Sequence, residues 1–199
     1  MFIKLCGLRR LDEVHVAREL TVHAIGINLV QSARRAVDLD TAFALTEAAR
    51  DLRVFFVVDA SPPTELPHLL KATPHGYVQR TDASWAWPAF VDDAHRVDVV
   101  RLRHPEDIEA AAGSLSRLVI SDAAAGLGGT GQLGDWALSA ALAVRRDTVL
   151  AGGLTPDNVA LAIRTVRPFG VDVASGIEEN GHITEARMRA FVAAVRGVS

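Results

Sequence analysis

Residues 148–176 read TVLAGGLTPDNVALAIRTVRPFGVDVASG, and they contain two short apolar runs separated by a helical segment. The runs, Thr148–Ala151 and Val171–Ala174, are rich in valine, and each leads into a glycine-containing turn. Between them, Asn158–Arg164 repeats apolar residues at helical spacing. A strand, a helix and a second strand in this order predict two parallel strands joined by a helical crossover.

The same unit recurs along the whole chain, at a spacing of about 25 residues. The apolar runs are Phe2–Leu5, Ala24–Leu29, Val54–Val58, Tyr77–Gln79, Val97–Leu102, Leu118–Ser121, Thr148–Ala151 and Val171–Ala174. The helical segments are Leu11–Leu20, Asp40–Arg50, Pro63–Lys71, Pro105–Gly113, Trp136–Val144, Asn158–Arg164 and Glu185–Val195. Pro88 interrupts a further candidate helix, Ala83–Ala94. Eight such units predict an α/β fold, a compact (β/α)8 TIM barrel of eight parallel strands with outer helices, and an open doubly wound sheet is the alternative.

The composition is that of an ordinary globular protein, with 49% apolar and 23% charged residues. No linker or low-complexity tract divides the 199 residues, so we expect a single domain that spans residues 1–199. The net charge of −3 argues against nucleic acid or an anionic membrane as a partner. The single cysteine excludes an intrachain disulfide, and the chain shows neither an apolar leader nor a membrane-spanning run. We therefore expect a cytoplasmic protein.

Active sites of such barrels lie at the carboxyl ends of the strands, so the residues that follow each apolar run are the candidates. The last three runs lead into SDAAAGLGGTG, LAGGLTPDNV and VDVASGIE. Free backbone N–H groups in such turns bind anions, and this fold commonly holds a phosphate after strands 7 and 8. We therefore predict a phosphate site at Gly152, Gly153, Ser175 and Gly176. The alternative is that these residues only form tight turns.

A thiol and a carboxyl group lie at two further strand ends. Cys6 follows the first run and Asp122 the sixth, so a barrel brings both to the same face. A carboxyl group that leaves a buried strand is partly removed from water and is suited to donate a proton, whereas a thiolate accepts one. As alternatives, Cys6 is inert core filler and Asp122 a turn residue. Arg34, after the second run, can bind a carboxylate with two hydrogen bonds, or it can be a solvated surface residue.

Several motifs follow one another along the chain: KLCGL, the S-x-R of Ser32–Arg34, VVDAS, Asp122 with GGTG and then DW, LAGGLTPDNV and GVDVASGIE. Together they resemble the phosphoribosylanthranilate isomerase family, from Lys4 to about Phe191. The resemblance implies a (β/α)8 barrel that catalyses an Amadori rearrangement of an N-(5-phosphoribosyl) aromatic amine in tryptophan biosynthesis, without a metal or a cofactor. Its partner would be a small-molecule phosphosugar, and the chain would be a monomer or a homodimer.

The resemblance also implies roles for individual residues. Asp122 would be the general acid that opens the ribose ring, and Cys6 the general base that takes the C2′ proton. Arg34 would hold the anthranilate carboxylate. The other substrate-binding residues would be Gln79, Gly128 and Gly129, with the phosphate near Gly152, Gly153, Ser175 and Gly176.

The chain departs from the family pattern after the fourth strand. The family has Q-L-H-G there, and this chain keeps Gln79 but has Arg80, Thr81 and Asp82 in place of the other three residues. Trp85 and Trp87 follow directly, and Arg101 and Arg103 follow the fifth strand. One interpretation is drift at tolerant positions. The other is that the aglycone side has been rebuilt for a related phosphosugar of specialised metabolism.

Two other functions stay open on the sequence alone. A lyase or synthase on the same phosphate-binding barrel needs a Schiff-base lysine or metal ligands. Lys4, two residues before Cys6, is the better placed of the two lysines, since Lys71 lies in a predicted helix. A non-catalytic phosphosugar-binding barrel would bind its ligand without turnover and would tolerate Cys6→Ser.

Overall fold

The structure is a computed structural model, and it describes residues 1–81, 85–123 and 136–198. Eight parallel strands pair in chain order, and the first pairs with the last to close a barrel. They are β1 (Phe2–Cys6), β2 (Ala24–Asn28), β3 (Arg53–Val58), β4 (Gly76–Arg80), β5 (Arg96–Val100), β6 (Leu118–Asp122), β7 (Thr148–Ala151) and β8 (Gly170–Val173). Every predicted apolar run overlaps one of these strands. The predicted barrel is therefore confirmed, and the open sheet is wrong.

Helices cover the outside of the barrel. In the described part of the chain they are α1 (Leu11–Glu19), α2 (Leu39–Ala49), α3 (Leu66–Ala72), α4 (Pro105–Ala112), α5 (Trp136–Ala143), α6 (Val159–Val166) and α7 (Glu185–Arg196). After β8 come a 3-10 turn, Ser175–Ile177, and a two-stranded hairpin of β9 (Glu178–Glu179) and β10 (His182–Ile183). None of the helices described here is both long and apolar enough to cross a lipid bilayer.

The connection between β4 and β5 differs from the prediction. Within the candidate helix Ala83–Ala94, residues 85–92 have no helical structure, and only a 3-10 turn, Asp93–His95, follows them. Ala83 and Ser84 lie outside the described residues. Pro88 explains the difference, because proline lacks the backbone N–H that a helix interior needs.

Ionic and aromatic side chains cover this side of the barrel in place of a long helix. On β5, the buried carboxylate of Asp98 accepts hydrogen bonds from Arg80, from Ser114 (2.6 Å) and from Ser116 (2.8 Å). The guanidinium of Arg80 also lies over the ring of Trp87, with its Cζ 4.7 Å from the ring centroid. Asp98 therefore joins β4, β5 and the segment that follows α4.

Strand residues alternate between two cores, since successive side chains of a strand point to opposite faces. One set packs between the barrel and the helices, where Leu5, Ile25, Phe56 and Phe191 are fully buried. A second cluster packs together inside the barrel and contains Phe2, Phe55, Val97, Ile120 and Val149. Burial of each large apolar side chain contributes about 1.5–3 kcal/mol. This packed interior supports the polar side chains at the carboxyl ends of the strands.

Candidate active site

A cavity of about 270 Å³ lies at the carboxyl ends of the barrel strands. Its polar lining comes from strands and turns that are far apart in the sequence: Cys6, Gln79, Asp122, Gly152, Gly153, Asp172 and Ser175. Apolar residues complete the described wall: Val99, Ile120, Ala151, Leu154, Val173 and Ala174. The predicted residues Gly128 and Gly129 lie outside the described residues.

The thiol and the carboxyl group that the sequence singled out line this same cavity. Cys6 is the last residue of β1 and is partly buried. Asp122 is the last residue of β6, and its side chain is 26% exposed. The guanidinium of Arg101, just beyond β5, lies with its Nε 3.8 Å from Asp122 Oδ2. Both side chains can therefore contact one small molecule in this cavity.

Charge and burial oppose each other at the thiol. Burial raises the pKa of Cys6 above its ordinary value, and the ammonium of Lys4, the strongest influence that lowers it, offsets burial only in part. Lys4 is fully buried, and its Nζ lies 2.9 Å from Oδ2 of Asp172 on β8. Burial would lower the pKa of Lys4, but the negative charges of Asp172 and Cys6 outweigh it and raise that pKa. Lys4 is therefore a buried cation beside the thiol.

The turn after β7 and the turn after β8 meet at one end of the cavity. Gly152 and Gly153 have φ of +91° and +64°, the left-handed region that glycine adopts without strain. The side chain of Asn158 braces this turn, since its Oδ1 accepts from the N–H of Thr155 (2.8 Å) and its Nδ2 donates to the carbonyl of Gly153 (2.9 Å).

The second turn packs closely against the first. Gly176 is buried so tightly that a Cβ there would lie 1.9 Å from the carbonyl oxygen of Leu154. Gly152, Gly153 and Ser175 line the cavity, whereas Gly176 packs behind it. The four residues predicted to surround a phosphate are thus neighbours in space.

Gln79 lies on β4 and is only 7% exposed. Its Oε1 is buried and accepts no hydrogen bond from any described residue. Because buried polar atoms are almost always hydrogen-bonded, this amide oxygen is available to a ligand donor.

Arg34 lies at the rim rather than among the residues that line the cavity. Its Nη2 donates to Oε2 of Glu178 (2.5 Å), and its Nη1 donates to the carbonyl of Gly181 (3.0 Å). Arg35 donates to the other carboxylate oxygen of Glu178 at 2.7 Å. Burial would raise the pKa of Glu178, but the two arginines outweigh it and lower that pKa. The ionised Glu178 therefore fixes the position of Arg34.

Sequence reasoning missed Asp172 and Glu178, and it considered Lys4 only as a Schiff-base candidate. An acidic residue inside the buried run GVDV was the available signal for Asp172, because charges are rarely buried without a partner. The ion pair with Asp172 argues against a Schiff-base role for Lys4, which requires a neutral, reachable amine. Across residues 1–81, 85–123 and 136–198, no group of His, Cys, Asp and Glu side chains is arranged to hold a metal ion.

The positions that depart from the family pattern lie mostly away from the cavity. The guanidinium of Arg80 bonds to Asp98 and to the carbonyl of Trp85 (2.5 Å). Arg101 and Arg103 line a separate groove beside α4, although Arg101 also approaches Asp122. Asp82 lies outside the described residues. Most of the described charged side chains that distinguish this region from the family pattern therefore make their contacts outside the cavity.

Comparison with known proteins identifies close relatives. Residues 3–194 match the family model described as N-(5′-phosphoribosyl)anthranilate (PRA) isomerase. An N-(5′-phosphoribosyl)anthranilate isomerase of Myxococcus xanthus is 36% identical over 209 residues, which cover 99% of this chain and 97% of that protein. The solved structure of phosphoribosyl anthranilate isomerase from Thermococcus kodakaraensis is 30% identical, with a TM-score of 0.76 and 98% of each chain covered.

A further solved structure is that of a phosphoribosyl anthranilate isomerase in complex with reduced 1-(o-carboxyphenylamino)-1-deoxyribulose 5-phosphate. It is 22% identical to this chain, with a TM-score of 0.78 and 99% of each chain covered. At that identity the likeness concerns the fold.

Proposed function

The chain belongs to the N-(5′-phosphoribosyl)anthranilate isomerase family, and on that basis we propose which of its residues carry out the reaction. The protein is an isomerase that converts phosphoribosylanthranilate, an aminoaldose, into the corresponding aminoketose in tryptophan biosynthesis. A family match over residues 3–194 favours this activity over a related substrate of specialised metabolism and over binding without turnover.

Cys6 and Asp122 are the base and the acid. The observation that carries this assignment is that both side chains line one cavity with the glycine turns after β7 and β8. Asp122 donates its proton to the ribose ring oxygen while the C1′–O4′ bond breaks, and the anthranilate nitrogen forms a double bond to C1′. The Cys6 thiolate then removes the proton from C2′, and the released electron pair returns the nitrogen to an amine. The resulting enol becomes the ketone when its C2′ hydroxyl loses a proton to water and C1′ gains one.

The two ends of the substrate carry negative charge, and each has a partner in this proposal. The phosphate binds at the turns that contain Gly152, Gly153, Ser175 and Gly176, where backbone N–H groups are available. The anthranilate carboxylate binds Arg34, whose position Glu178 fixes. Gln79, whose Oε1 accepts no hydrogen bond from the described residues, accepts one from a ribose hydroxyl.

The test of this assignment is the turnover of phosphoribosylanthranilate, followed by the loss of its fluorescence, in Cys6→Ala and Asp122→Asn. Removal of a general acid or base typically costs about 10²- to 10⁴-fold, and we expect a loss of kcat in this range for each variant. Asp147→Asn is the control, because Asp147 is exposed and precedes β7 at the opposite end of the barrel. Full activity in either active-site variant would overturn the assignment. Wild-type turnover near the median of about 10 s⁻¹ would exclude a rebuilt aglycone site.

Three properties stay predictions: one domain over residues 1–199, a cytoplasmic location, and a monomer or homodimer. Sedimentation of the purified chain distinguishes the two assembly states.

A further inference from the structure

A buried ion pair lies beneath the proposed base. Lys4 and Asp172 are register partners where β1 and β8 close the barrel, and Nζ and Oδ2 lie 2.9 Å apart. Lys4 is fully buried, and its Nζ is 5.2 Å from the centroid of the Phe55 ring. Burial of an ammonium ion without a partner is strongly unfavourable, so this pair sustains the charge of Lys4 inside the barrel.

The same ammonium also acts on the sulfur of Cys6. Lys4 and Cys6 are two positions apart on β1, so both side chains point to the same side of the strand. The positive charge of Lys4 favours the thiolate over the thiol. One buried cation therefore interacts with two acidic groups, the Cys6 sulfur and the Asp172 carboxylate.

Asp172 has the opposite effect on the sulfur. Its negative charge opposes formation of the thiolate, while its Oδ2 engages the ammonium that favours it. Oδ1 of Asp172 is buried and accepts no hydrogen bond from the described residues, although the side chain lines the cavity. Two other charged groups act on the cluster: Arg35 on Cys6, and Asp122 on Asp172. Arg35 is already engaged by Glu178.

We propose that Lys4 is a positioning residue that favours the thiolate form of the Cys6 sulfur against the effect of burial, and that Asp172 limits how strongly Lys4 does so. The inference rests on the proposed function, in which Cys6 is the general base. The two variants distinguish this role from that of a purely structural ion pair, because they should change the ionisation of the thiol in opposite directions. Removal of the lysine charge disfavours the thiolate, whereas removal of the aspartate charge favours it. If the pair only stabilised the fold, both variants would be less stable than wild type, and the ionisation of the thiol would be unchanged in both.

The experiment measures the alkylation rate of Cys6 by iodoacetamide as a function of pH, by intact mass, without substrate. Cys6 is the only cysteine, so every adduct reports on this sulfur. Only the thiolate reacts, and the plateau rate at high pH measures access to the sulfur and normalises each variant. We expect Lys4→Met to react about tenfold more slowly than wild type at pH 7, since a nearby opposite charge changes thiol ionisation by at least this factor. Asp172→Asn should react faster than wild type, because the Cys6 sulfur is then the remaining counter-ion of the Lys4 ammonium.

The double variant Lys4→Met/Asp172→Asn guards against misfolding, because it removes both charges and leaves no buried ion unpaired. We expect its rate to lie between those of Lys4→Met and wild type, since Lys4 affects the sulfur more than Asp172 does. If Lys4→Met does not fold, the proposal is tested by Asp172→Asn and the double variant. Asp172→Asn must then be alkylated faster than wild type, and the double variant more slowly. Equal rates, or rates that change in the same direction, would overturn the proposal.

The substrate reaction supplies a second measurement. The acidic limb of the kcat/KM profile should move to higher pH in the double variant and to lower pH in Asp172→Asn. Failure of this inference is distinguishable from failure of the proposed function. If Cys6→Ala keeps full activity, the assignment of the base is wrong whatever the alkylation rates show. If Cys6→Ala is inactive and the alkylation order is absent, only the role of Lys4 is wrong.

Discussion

Gly176→Ala tests how closely the turns after β7 and β8, the proposed phosphate site, pack against each other. The added Cβ would lie 1.9 Å from the carbonyl oxygen of Leu154, whereas real contacts of this kind stay beyond 3.0 Å. The turns after β7 and β8 must therefore separate by about 1 Å, a misplacement that can cost 10²-fold in rate. This factor corresponds to about 2.7 kcal/mol of lost transition-state binding. Overpacking of this kind also destabilises the fold by about 1–3 kcal/mol.

The assay is steady-state kinetics with phosphoribosylanthranilate, together with competitive inhibition by inorganic phosphate. We expect kcat/KM to fall about 10²-fold, with a higher KM and weaker inhibition by phosphate. Gly113→Ala is the matched control, because the nearest contact of its Cβ is 3.4 Å, at the end of α4 outside the barrel. An unchanged KM and unchanged phosphate inhibition in Gly176→Ala would refute the assignment of this end of the cavity to phosphate.

Two further predictions concern ionised carboxylates. Asp98→Asn should lower the free energy of unfolding by about 3 kcal/mol at pH 7, measured by urea denaturation, because it breaks the buried pair with Arg80. Burial would raise the pKa of Asp98, but hydrogen bonds from Arg80 and two serines outweigh it and lower that pKa. The stability that Asp98 adds is thus present above its unfolded pKa of about 3.9 and is lost as the pH falls through the folded pKa, so the difference from the variant should shrink in acid. Glu178→Gln should raise KM by about two- to fivefold with little change in kcat, because it loosens the half-exposed Arg34. The control, Glu179→Gln, should leave KM unchanged. An unchanged KM in Glu178→Gln would count against Arg34 as the ligand of the anthranilate carboxylate.

Much of this molecule follows from local pattern. Alternating apolar runs and helical segments predicted the eight strands and most of the helices, because burial on both faces of a parallel strand demands such runs. The helix over Ala83–Ala94 was the exception, where the side chains of Arg80, Trp85 and Trp87 cover the barrel instead. The Cys6 and Asp122 positions also followed from the sequence, since all parallel strands present their carboxyl ends at one edge.

The sequence by itself determined the barrel and the edge at which Cys6, Asp122 and the glycine turns meet. Only the tertiary structure decided which charges are paired. Lys4 bonds to Asp172 across 168 residues, and Arg34 bonds to Glu178 across 144. The periodicity of a strand fixes which face a side chain occupies, but its partner is fixed by the register at which distant strands and turns meet when the barrel closes.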